Sequence, residues 1–294
     1  MIVTKILGGL GNQMFQYAAG RSLALANGSR LKLDIAGFNT YELHNGYELD
    51  LFHIDAEIAR SEEVCLLAGS QSRVLQFIRR KLRLTKSSHI REAGKAFGPS
   101  FFEIKGPAYL DGYWQSYEYL KPFESQIRRD LTFKPALAGR NRETAERIAN
   151  SNAVSVHIRR GDYVTNKTSA KVHGFVGLDY YRGAIQRIRG ELSSPTFFVF
   201  SDDLDWVKAN LGLGENAVLV SHNTGRSSYE DMRLMSMCNH NIIANSSFSW
   251  WGAWLNNNSS KIVIAPRQWF SDRSVASNYD KFLEHLIPSS WFLV

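Results

Sequence analysis

The sequence predicts an α/β protein whose carboxyl-terminal half is a doubly wound parallel sheet. After residue 150, five short apolar segments alternate with helical patterns, an order typical of parallel sheets. Each segment is apolar along its whole length, as in strands that are buried on both faces. The amino terminus adds a strand, a glycine turn, a helix and a second strand. We therefore expect two domains, an α/β domain over residues 1–140 and a second domain over residues 141–294.

The elements of the first domain follow from its amino-terminal pattern. Residues 2–7 are predicted to form an apolar strand that a glycine-rich turn ends. Asn12 is expected to be the N-cap of a helix over residues 13–26. The next strand covers residues 30–34, and residues 108–115 are predicted to be a strand that runs into an aromatic loop.

The second domain alternates regularly between strands and helices. Its strands are predicted over residues 153–158, 196–200, 217–221, 241–244 and 261–265, the last of the sheet. The helices between them are predicted over residues 179–189, 204–211, 229–238 and 248–256. Ligands of open parallel sheets bind beyond the carboxyl ends of the strands, so functional residues are expected to follow the strands directly.

Composition narrows the class of protein. With 44% hydrophobic and 21% charged residues over 294 positions, the chain is globular rather than disordered. The two cysteines, Cys65 and Cys238, exclude a disulfide framework and a four-thiolate zinc site. No apolar run reaches the roughly 18 residues that a membrane span needs, and no secretory signal is recognisable. We therefore expect a cytoplasmic protein.

The positive charge is concentrated in one segment. The net charge is +7, and the segment from Arg73 to Lys95 has eight basic residues against Glu92 alone, which also sums to +7. Such a basic amphipathic helix either lies on an anionic membrane surface, here the inner face of the cell membrane, or is a solvated helix face. Nucleic acid is a poorer fit, because no recognisable nucleic-acid-binding fold accompanies the segment.

Two of the strands lead into residues that suit phosphate. The glycine-rich turn that includes Gly9 and Gly11 is either a phosphate or sugar contact at a helix start or only a structural turn. It is weak as a nicotinamide motif, because Met14 occupies the place of the third glycine. Arg159 and Arg160 follow the strand over residues 153–158, and a guanidinium matches phosphate oxygens bidentately. A surface ion pair is the alternative for these arginines.

Acidic residues follow the strand over residues 196–200. The carboxylate of Asp202 or Asp203 at this strand end can accept hydrogen bonds from a guanine. Asp203 and Asp205 also form a two-carboxylate pattern that suits a divalent metal, but acids at a helix start more often cap the helix. The eight histidines lack metal-ligand spacing, so we predict no metal site.

Serines and aromatic residues follow the strand over residues 241–244. Ser246 and Ser247 at a helix start suit an anion, and Phe248 offers an apolar face to a base or a sugar. For Trp251 and Trp254, core packing is the preferred interpretation.

Together these segments resemble the bacterial α-1,2-fucosyltransferases of glycosyltransferase family eleven. The similarity rests on motifs in the family's order at residues 8–17 (GGLGNQMFQY), 111–115 (DGYWQ), 157–163 (HIRRGDY), 200–203 (FSDD) and 245–254 (NSSFSWWGAW). The resemblance implies a GT-B-like fold of two domains. Its carboxyl-terminal half would be a Rossmann-like domain that binds GDP-fucose, and its amino-terminal half would carry most of the acceptor site.

The resemblance also implies roles for individual residues. Arg159 would contact the β-phosphate, His157 would lie beside the nucleotide, and Asp202 or Asp203 would read the guanine. The other implied donor contacts are Ser246, Ser247 and Phe248 and, in the amino-terminal turn, Gly9, Gly11 and Asn12. Acceptor contacts are expected at Asp34, Trp114 and Gln115.

The implied reaction is an inverting transfer of L-fucose from GDP-β-L-fucose to the 2-hydroxyl of a terminal galactose in a glycan, free or lipid-linked. Arg159 would stabilise the departing GDP, and Asp162 or Asp34 would accept the proton, with no metal or other cofactor. Two other classes of protein remain open. One is a nucleotide-dependent oxidoreductase, and the other is a non-catalytic protein that binds glycans or a membrane surface.

Overall fold

A parallel sheet stands at the centre of each half of the chain. The computed structural model describes residues 1–40, 44–69, 88–161, 174–214 and 216–294. The chain divides into two units, Met1–Lys134 and Pro135–Val294, and each unit has its own sheet with helices. The predicted α/β class and the parallel sheet of the carboxyl-terminal half are therefore confirmed.

The first unit contains a five-stranded parallel sheet. Its strands are β1 (Ile2–Lys5), β2 (Leu31–Asp34), β3 (Glu57–Ile58), β4 (His89–Arg91) and β5 (Ala108–Asp111). They are ordered β3-β2-β1-β5-β4, and every pair is parallel. The direction of chain progression reverses between β1 and β5, and such a reversal opens a crevice at the carboxyl ends of the two strands.

The described helices of the first unit are α1 (Leu10–Ala26), α2 (Ser61–Ala68) and α3 (Glu124–Asp130). Helix α1 packs closely on β1, because Gly20 has no side chain: a Cβ there would overlap the hydroxyl of Thr4. On the other face of the sheet, α2 covers a small apolar cluster of Val3, Val64, Leu67 and Tyr109. Both faces of β1 are therefore covered, and its first three residues, Ile2, Val3 and Thr4, are fully buried.

Helix α1 begins earlier than the sequence predicts, and the assignment of Asn12 as its N-cap is wrong. Gly8 has a φ of +82°, which turns the chain directly after β1, and Gly9 is the extended N-cap residue. The amides of Asn12 and Gln13 donate to the Gly9 carbonyl at 2.9 and 3.1 Å. Asn12 therefore lies inside the first turn of the helix.

The second unit contains a six-stranded parallel sheet. Its strands are β6 (Ala153–Ile158), β7 (Thr196–Ser201), β8 (Ala217–Val220), β9 (His240–Ile242), β10 (Val263–Ala265) and β11 (Phe292–Leu293). They are ordered β11-β10-β9-β6-β7-β8, with the reversal between β6 and β9. The prediction that residues 261–265 form the last strand is wrong, because β11 follows and pairs with β10.

Helices pack around this second sheet. They are α4 (Gly139–Ala149), α5 (Leu178–Glu191), α6 (Leu204–Asn210), α7 (Tyr229–Met237), α8 (Ser247–Leu255) and α9 (Tyr279–Leu286). Helices α5 and α6 cover one face through a cluster that includes Tyr181, Ile188 and Val207, while α7 packs against α4 and α8. Trp251 and Trp254 are buried in α8, so the predicted core packing of both is confirmed. Within the described ranges, no helix combines the length and apolarity needed to cross a membrane.

Candidate active site

Two chain segments meet at the reversal point of the second sheet. Strand β6 carries His157 and leads into Arg159, while β9 leads into Ser246, the N-cap of α8. Since β6 and β9 are paired neighbours, their carboxyl ends lie at one edge of the sheet. The ring centroids of His157 and Phe248 are 5.7 Å apart. The structure thus brings together four of the predicted donor-binding residues.

His157 is buried beside charged groups. It is 6% exposed, and its Nδ1 has no hydrogen-bond partner among the described residues. Burial lowers the pKa of its imidazole to about 4; the Asp202 carboxylate opposes this shift and the Arg159 guanidinium adds to it. Near neutral pH the ring is therefore uncharged, and it presents a neutral imidazole beside the two charged groups.

The start of α8 offers a second polar surface at this edge. Ser246 makes no side-chain capping hydrogen bond, and Ser247 and Phe248 are half-buried. The first N–H groups of any helix lack intrahelical acceptors and create a positive potential at the helix start, which suits an anion. Together with the Arg159 guanidinium, this helix start gives the sheet edge the character of a phosphate site.

The two adjacent arginines have different surroundings. The Arg159 guanidinium contacts the Asp202 carboxylate, with 3.2 Å from Nη1 to Oδ2. Arg160 donates from Nε to Oδ2 of Asp203 at 3.0 Å, and its guanidinium carbon lies 4.2 Å from the centre of the Trp206 ring. Both arginines thus form ion pairs with carboxylates, as the alternative interpretation predicts, and Arg160 also packs against an aromatic ring.

Asp203 caps α6, as the capping interpretation predicts. Its Oδ1 accepts from the Trp206 amide at 3.1 Å, while its Oδ2 accepts from Arg160. The hydrogen bond from Arg160 lowers the pKa of the Asp203 carboxyl below its usual value. In the described part of the chain, no three His, Cys, Asp or Glu side chains lie close enough together to hold a metal.

The first unit has candidate residues at its own reversal point. After β1, Gly9 is the N-cap of α1 and Gly11 lies in the first turn of that helix, while Gln115 follows β5. The side chain of Gln115 donates from Nε2 to Oδ1 of Asn12 at 2.7 Å. Asn12, which was predicted to contact the sugar donor, is therefore hydrogen-bonded to Gln115, which was predicted to contact the sugar acceptor.

Two predicted acceptor residues are engaged within the fold. Trp114 is only 3% exposed, and its ring packs against Phe101 and Tyr119, with ring centroids 5.3 and 5.5 Å away. Asp34 is buried; its Oδ2 accepts from the Tyr109 hydroxyl at 2.7 Å, and its Oδ1 accepts from a main-chain amide. These contacts differ from the acceptor roles that the sequence predicted. Asp162, the other candidate base, lies outside the described residues.

Sequence analysis missed a polar cluster beyond the carboxyl end of β8. Asn223 donates to Oδ1 of Asp231 at 2.8 Å and bonds to Asn141, which also contacts His222. Burial raises the pKa of the Asp231 carboxyl to about 7. An acid in the first turn of a helix is an ordinary pattern, so the sequence carries no signal that separates Asp231 from a surface residue.

Similarity to known proteins extends over nearly the whole chain. The family model described as Glycosyl transferase family 11 matches residues 70–287. An alpha-1,2-colitosyltransferase of Escherichia coli is 36% identical, with 99% of this chain and 98% of the relative covered. The O-antigen biosynthesis glycosyltransferase WbnK of Escherichia coli is 33% identical, over 90% of this chain and 93% of that protein. Galactoside 2-alpha-L-fucosyltransferase Sec1 of Mus musculus is 27% identical, over 87% of this chain and 64% of that protein.

Solved structures share the fold. The NodZ alpha-1,6-fucosyltransferase soaked with GDP-fucose gives a TM-score of 0.52 at 16% identity, over 86% of this chain and 91% of that one. The fucosyltransferase NodZ from Bradyrhizobium gives 0.51 at 17% identity, over 85% and 91%. The GT-B-like architecture is therefore confirmed. The matches exclude the two other classes left open by the sequence, the oxidoreductase and the non-catalytic binding protein. The chain belongs to glycosyltransferase family 11.

Proposed function

We propose that this enzyme transfers L-fucose from GDP-β-L-fucose to the 2-hydroxyl of a terminal galactose, with inversion at the anomeric carbon. One observation carries the proposal: His157, Arg159 and the start of α8 meet at the reversal point of the second sheet in a family 11 chain. In this proposal the second unit binds the donor, and the first unit contributes Asn12 and Gln115 and carries most of the acceptor site.

The proposed chemistry depends on stabilising the departing GDP. The bond between the anomeric carbon and the β-phosphate oxygen breaks, so positive charge develops on the sugar ring and negative charge on the phosphate. Arg159 and the N–H groups at the start of α8 stabilise that negative charge. His157 contributes a neutral hydrogen-bonding nitrogen next to them.

The acceptor hydroxyl must also lose a proton. Asp162 remains the proposed base, on the sequence alone. Asp34 is not proposed again for this role, because both of its carboxylate oxygens already accept hydrogen bonds inside the first unit.

A second donor has a specific observation in its favour. The relative with 36% identity over 99% of this chain is an alpha-1,2-colitosyltransferase. Colitose is L-fucose without its 3-hydroxyl, so the two sugars have the same reacting carbon. A site that hydrogen-bonds the 3-hydroxyl rejects the deoxy sugar strongly, whereas an apolar site discriminates little.

The test compares the two donors with the same acceptors. Purified enzyme is incubated with GDP-fucose or GDP-colitose and a panel of β- and α-galactosides, and the linkage and anomeric configuration of each product are determined by NMR. We expect an α-1,2-linked fucosyl product on a β-galactoside. A product only with GDP-colitose would assign the enzyme to the second donor, and a product at another hydroxyl would overturn the proposed linkage.

A further inference from the structure

We propose that Asp202 is a positioning residue that orients the Arg159 guanidinium, and that it does not read the guanine base. This inference rests on the proposed function, because it concerns how the enzyme holds the GDP part of its donor. It replaces the role that the family resemblance implied for Asp202.

Both carboxylate oxygens of Asp202 are engaged with the chain that follows β6. Its Oδ1 accepts from the main-chain amide of Arg160 at 2.8 Å, and its Oδ2 lies 3.2 Å from Nη1 of Arg159. One oxygen therefore fixes the carboxylate to the backbone, and the other meets the guanidinium. Hydrogen bonds between charged partners are stronger and more directional than neutral ones, so this arrangement defines where the guanidinium lies.

The main chain leaves room for this carboxylate only because position 161 is a glycine. A Cβ on Gly161 would lie 2.9 Å from Oδ2 and 3.2 Å from Cγ of Asp202. The carboxylate thus rests directly against the backbone of the segment that carries Arg159. Such close packing suits a group that supports the segment after β6, where both of its oxygens find their partners.

The neighbouring ion pair of Arg160 and Asp203 holds the backbone around Asp202 in place. Arg160 and Asp203 form an ion pair at 3.0 Å, and the Arg160 guanidinium carbon lies 4.2 and 4.8 Å from the ring centres of Trp206 and Phe175. Asp203 in turn caps α6. Asp202 therefore lies between two anchored points, the start of α6 and the Arg160 backbone.

The two roles predict different nucleotide selectivity. A carboxylate that reads guanine accepts hydrogen bonds from N1–H and the exocyclic 2-amino group, so it favours GDP over IDP, which lacks that amino group. A carboxylate that orients Arg159 acts on the phosphates, which the two nucleotides share. Loss of the Asp202 carboxylate should then weaken the binding of GDP and of IDP by the same factor.

The experiment is a double-mutant cycle on nucleotide binding. Affinities for GDP and IDP are measured by calorimetry for the wild type, Asp202→Asn, Arg159→Ala and the double variant. We expect Asp202→Asn to weaken the binding of GDP and of IDP equally, by about 10- to 100-fold. In a protein that already carries Arg159→Ala, the same substitution should cause almost no further loss of affinity. Asp205→Asn is the matched control, because this nearby acid in the first turn of α6 is 97% exposed and its loss should leave both affinities unchanged.

A second variant tests the inference even if Asp202→Asn fails to fold. Gly161→Ala keeps both charged side chains but forces the carboxylate away from the backbone, so it should weaken GDP and IDP in the same way. A loss of GDP preference in Asp202→Asn, or additive effects of Asp202→Asn and Arg159→Ala, would overturn the inference alone. A wild-type enzyme that binds neither nucleotide would overturn the proposed function as well.

Discussion

Arg159 and Arg160 are identical in type and adjacent in sequence, yet their side chains occupy different environments. Arg160 lies between two aromatic rings and pairs with the helix cap Asp203, whereas Arg159 reaches the sheet edge next to His157. The sequence predicts that an arginine at this strand exit contacts phosphate. The residue pattern alone does not distinguish the two, because the rings that hold Arg160 come from distant segments, and only the family resemblance implies that the phosphate contact is Arg159.

Replacement of Arg159 should abolish transfer without unfolding the protein. Loss of a charge-assisted contact with the departing phosphate costs about 3–4 kcal/mol of transition-state stabilisation, or roughly 10²–10³ in rate. Arg159→Lys should restore little, because an ammonium group lacks the planar fork of the guanidinium. The measurement is kcat/KM for Arg159→Ala and Arg159→Lys, with the exposed Arg142→Ala as control. Near-normal turnover of folded Arg159→Ala would contradict the role.

Asp231 makes a separate prediction about pH. Its carboxyl has a pKa of about 7 in the folded protein against 3.8 in the unfolded chain, so the folded state favours the protonated form. Below both pKa values the carboxyl is protonated in the folded and the unfolded state, so its titration does not change the free energy of unfolding. As the pH rises from about 4 to about 7, the unfolded chain loses this proton while the folded protein keeps it, so the free energy of unfolding falls. Asp231→Asn removes this cost and retains an oxygen for Asn223. Relative to the wild type, its free energy of unfolding should therefore rise by about 2–3 kcal/mol between pH 5 and pH 8.5. Thermal or urea unfolding at the two pH values measures this difference, and a constant gap between the two proteins would refute it.

At the scale of elements, the sequence predicts the central strands well and the periphery poorly. All six residues of β6 are buried, and the predicted and observed bounds of this strand agree. Strand β11 has two residues and pairs with β10 alone, so its own sequence carries almost no periodic signal. The start of α1 was misplaced because Asn12 has the better cap side chain, while Gly8 supplies the positive φ that turns the chain.

Helix α8 has a cap at its carboxyl end that the sequence analysis did not identify. The Lys261 ammonium group donates to the carbonyls of Ala253 at 2.8 Å and Asn256 at 2.6 Å. A cation at a helix carboxyl terminus is favourable, and it satisfies acceptors that have no intrahelical partner. Lys261→Met should therefore lower the free energy of unfolding by about 1–3 kcal/mol.

The same variant separates stability from function within α8. Its cap lies at the opposite end of the helix from Ser247 and Phe248, so KM for the donor should not change. Lys281→Met, at an exposed position of α9, is the control for the loss of one positive charge. Equal stability of the Lys261 and Lys281 variants in chemical unfolding would show that the cap contributes nothing.

At the scale of the whole molecule, the proposed chemistry needs no metal, because cationic and main-chain groups of the chain itself stabilise the departing phosphate. We expect full activity in the presence of EDTA. Initial rates with EDTA, and after addition of Mg²⁺ or Mn²⁺, measure this directly. Loss of activity in EDTA that a divalent ion restores would favour the metal interpretation of Asp203 and Asp205.

The charge distribution leads to a prediction about location. The segment from Arg73 to Lys95 carries a charge equal to that of the entire protein, although residues 70–87 lie outside the described part of the structure. Basic residues near an anionic surface contribute about 1 kcal/mol each, and salt weakens this attraction. We therefore expect several of them together to attach the protein weakly to an anionic membrane.

Vesicle co-sedimentation distinguishes membrane attachment from a segment that only keeps the protein in solution. We expect binding to vesicles that contain anionic lipid and none to neutral vesicles at low salt, because the attraction is electrostatic. Binding should disappear when glutamine replaces Arg79, Arg80, Lys81 and Arg83. The matched control removes the same charge from exposed positions of the second unit, at Arg142, Arg147, Arg226 and Lys281. Transfer to a small soluble galactoside should survive the first set of changes, since the residues proposed to bind the donor phosphates belong to the second unit. Equal sedimentation with both kinds of vesicle, or loss of binding in the control as well, would show that the segment has no specific role at the membrane.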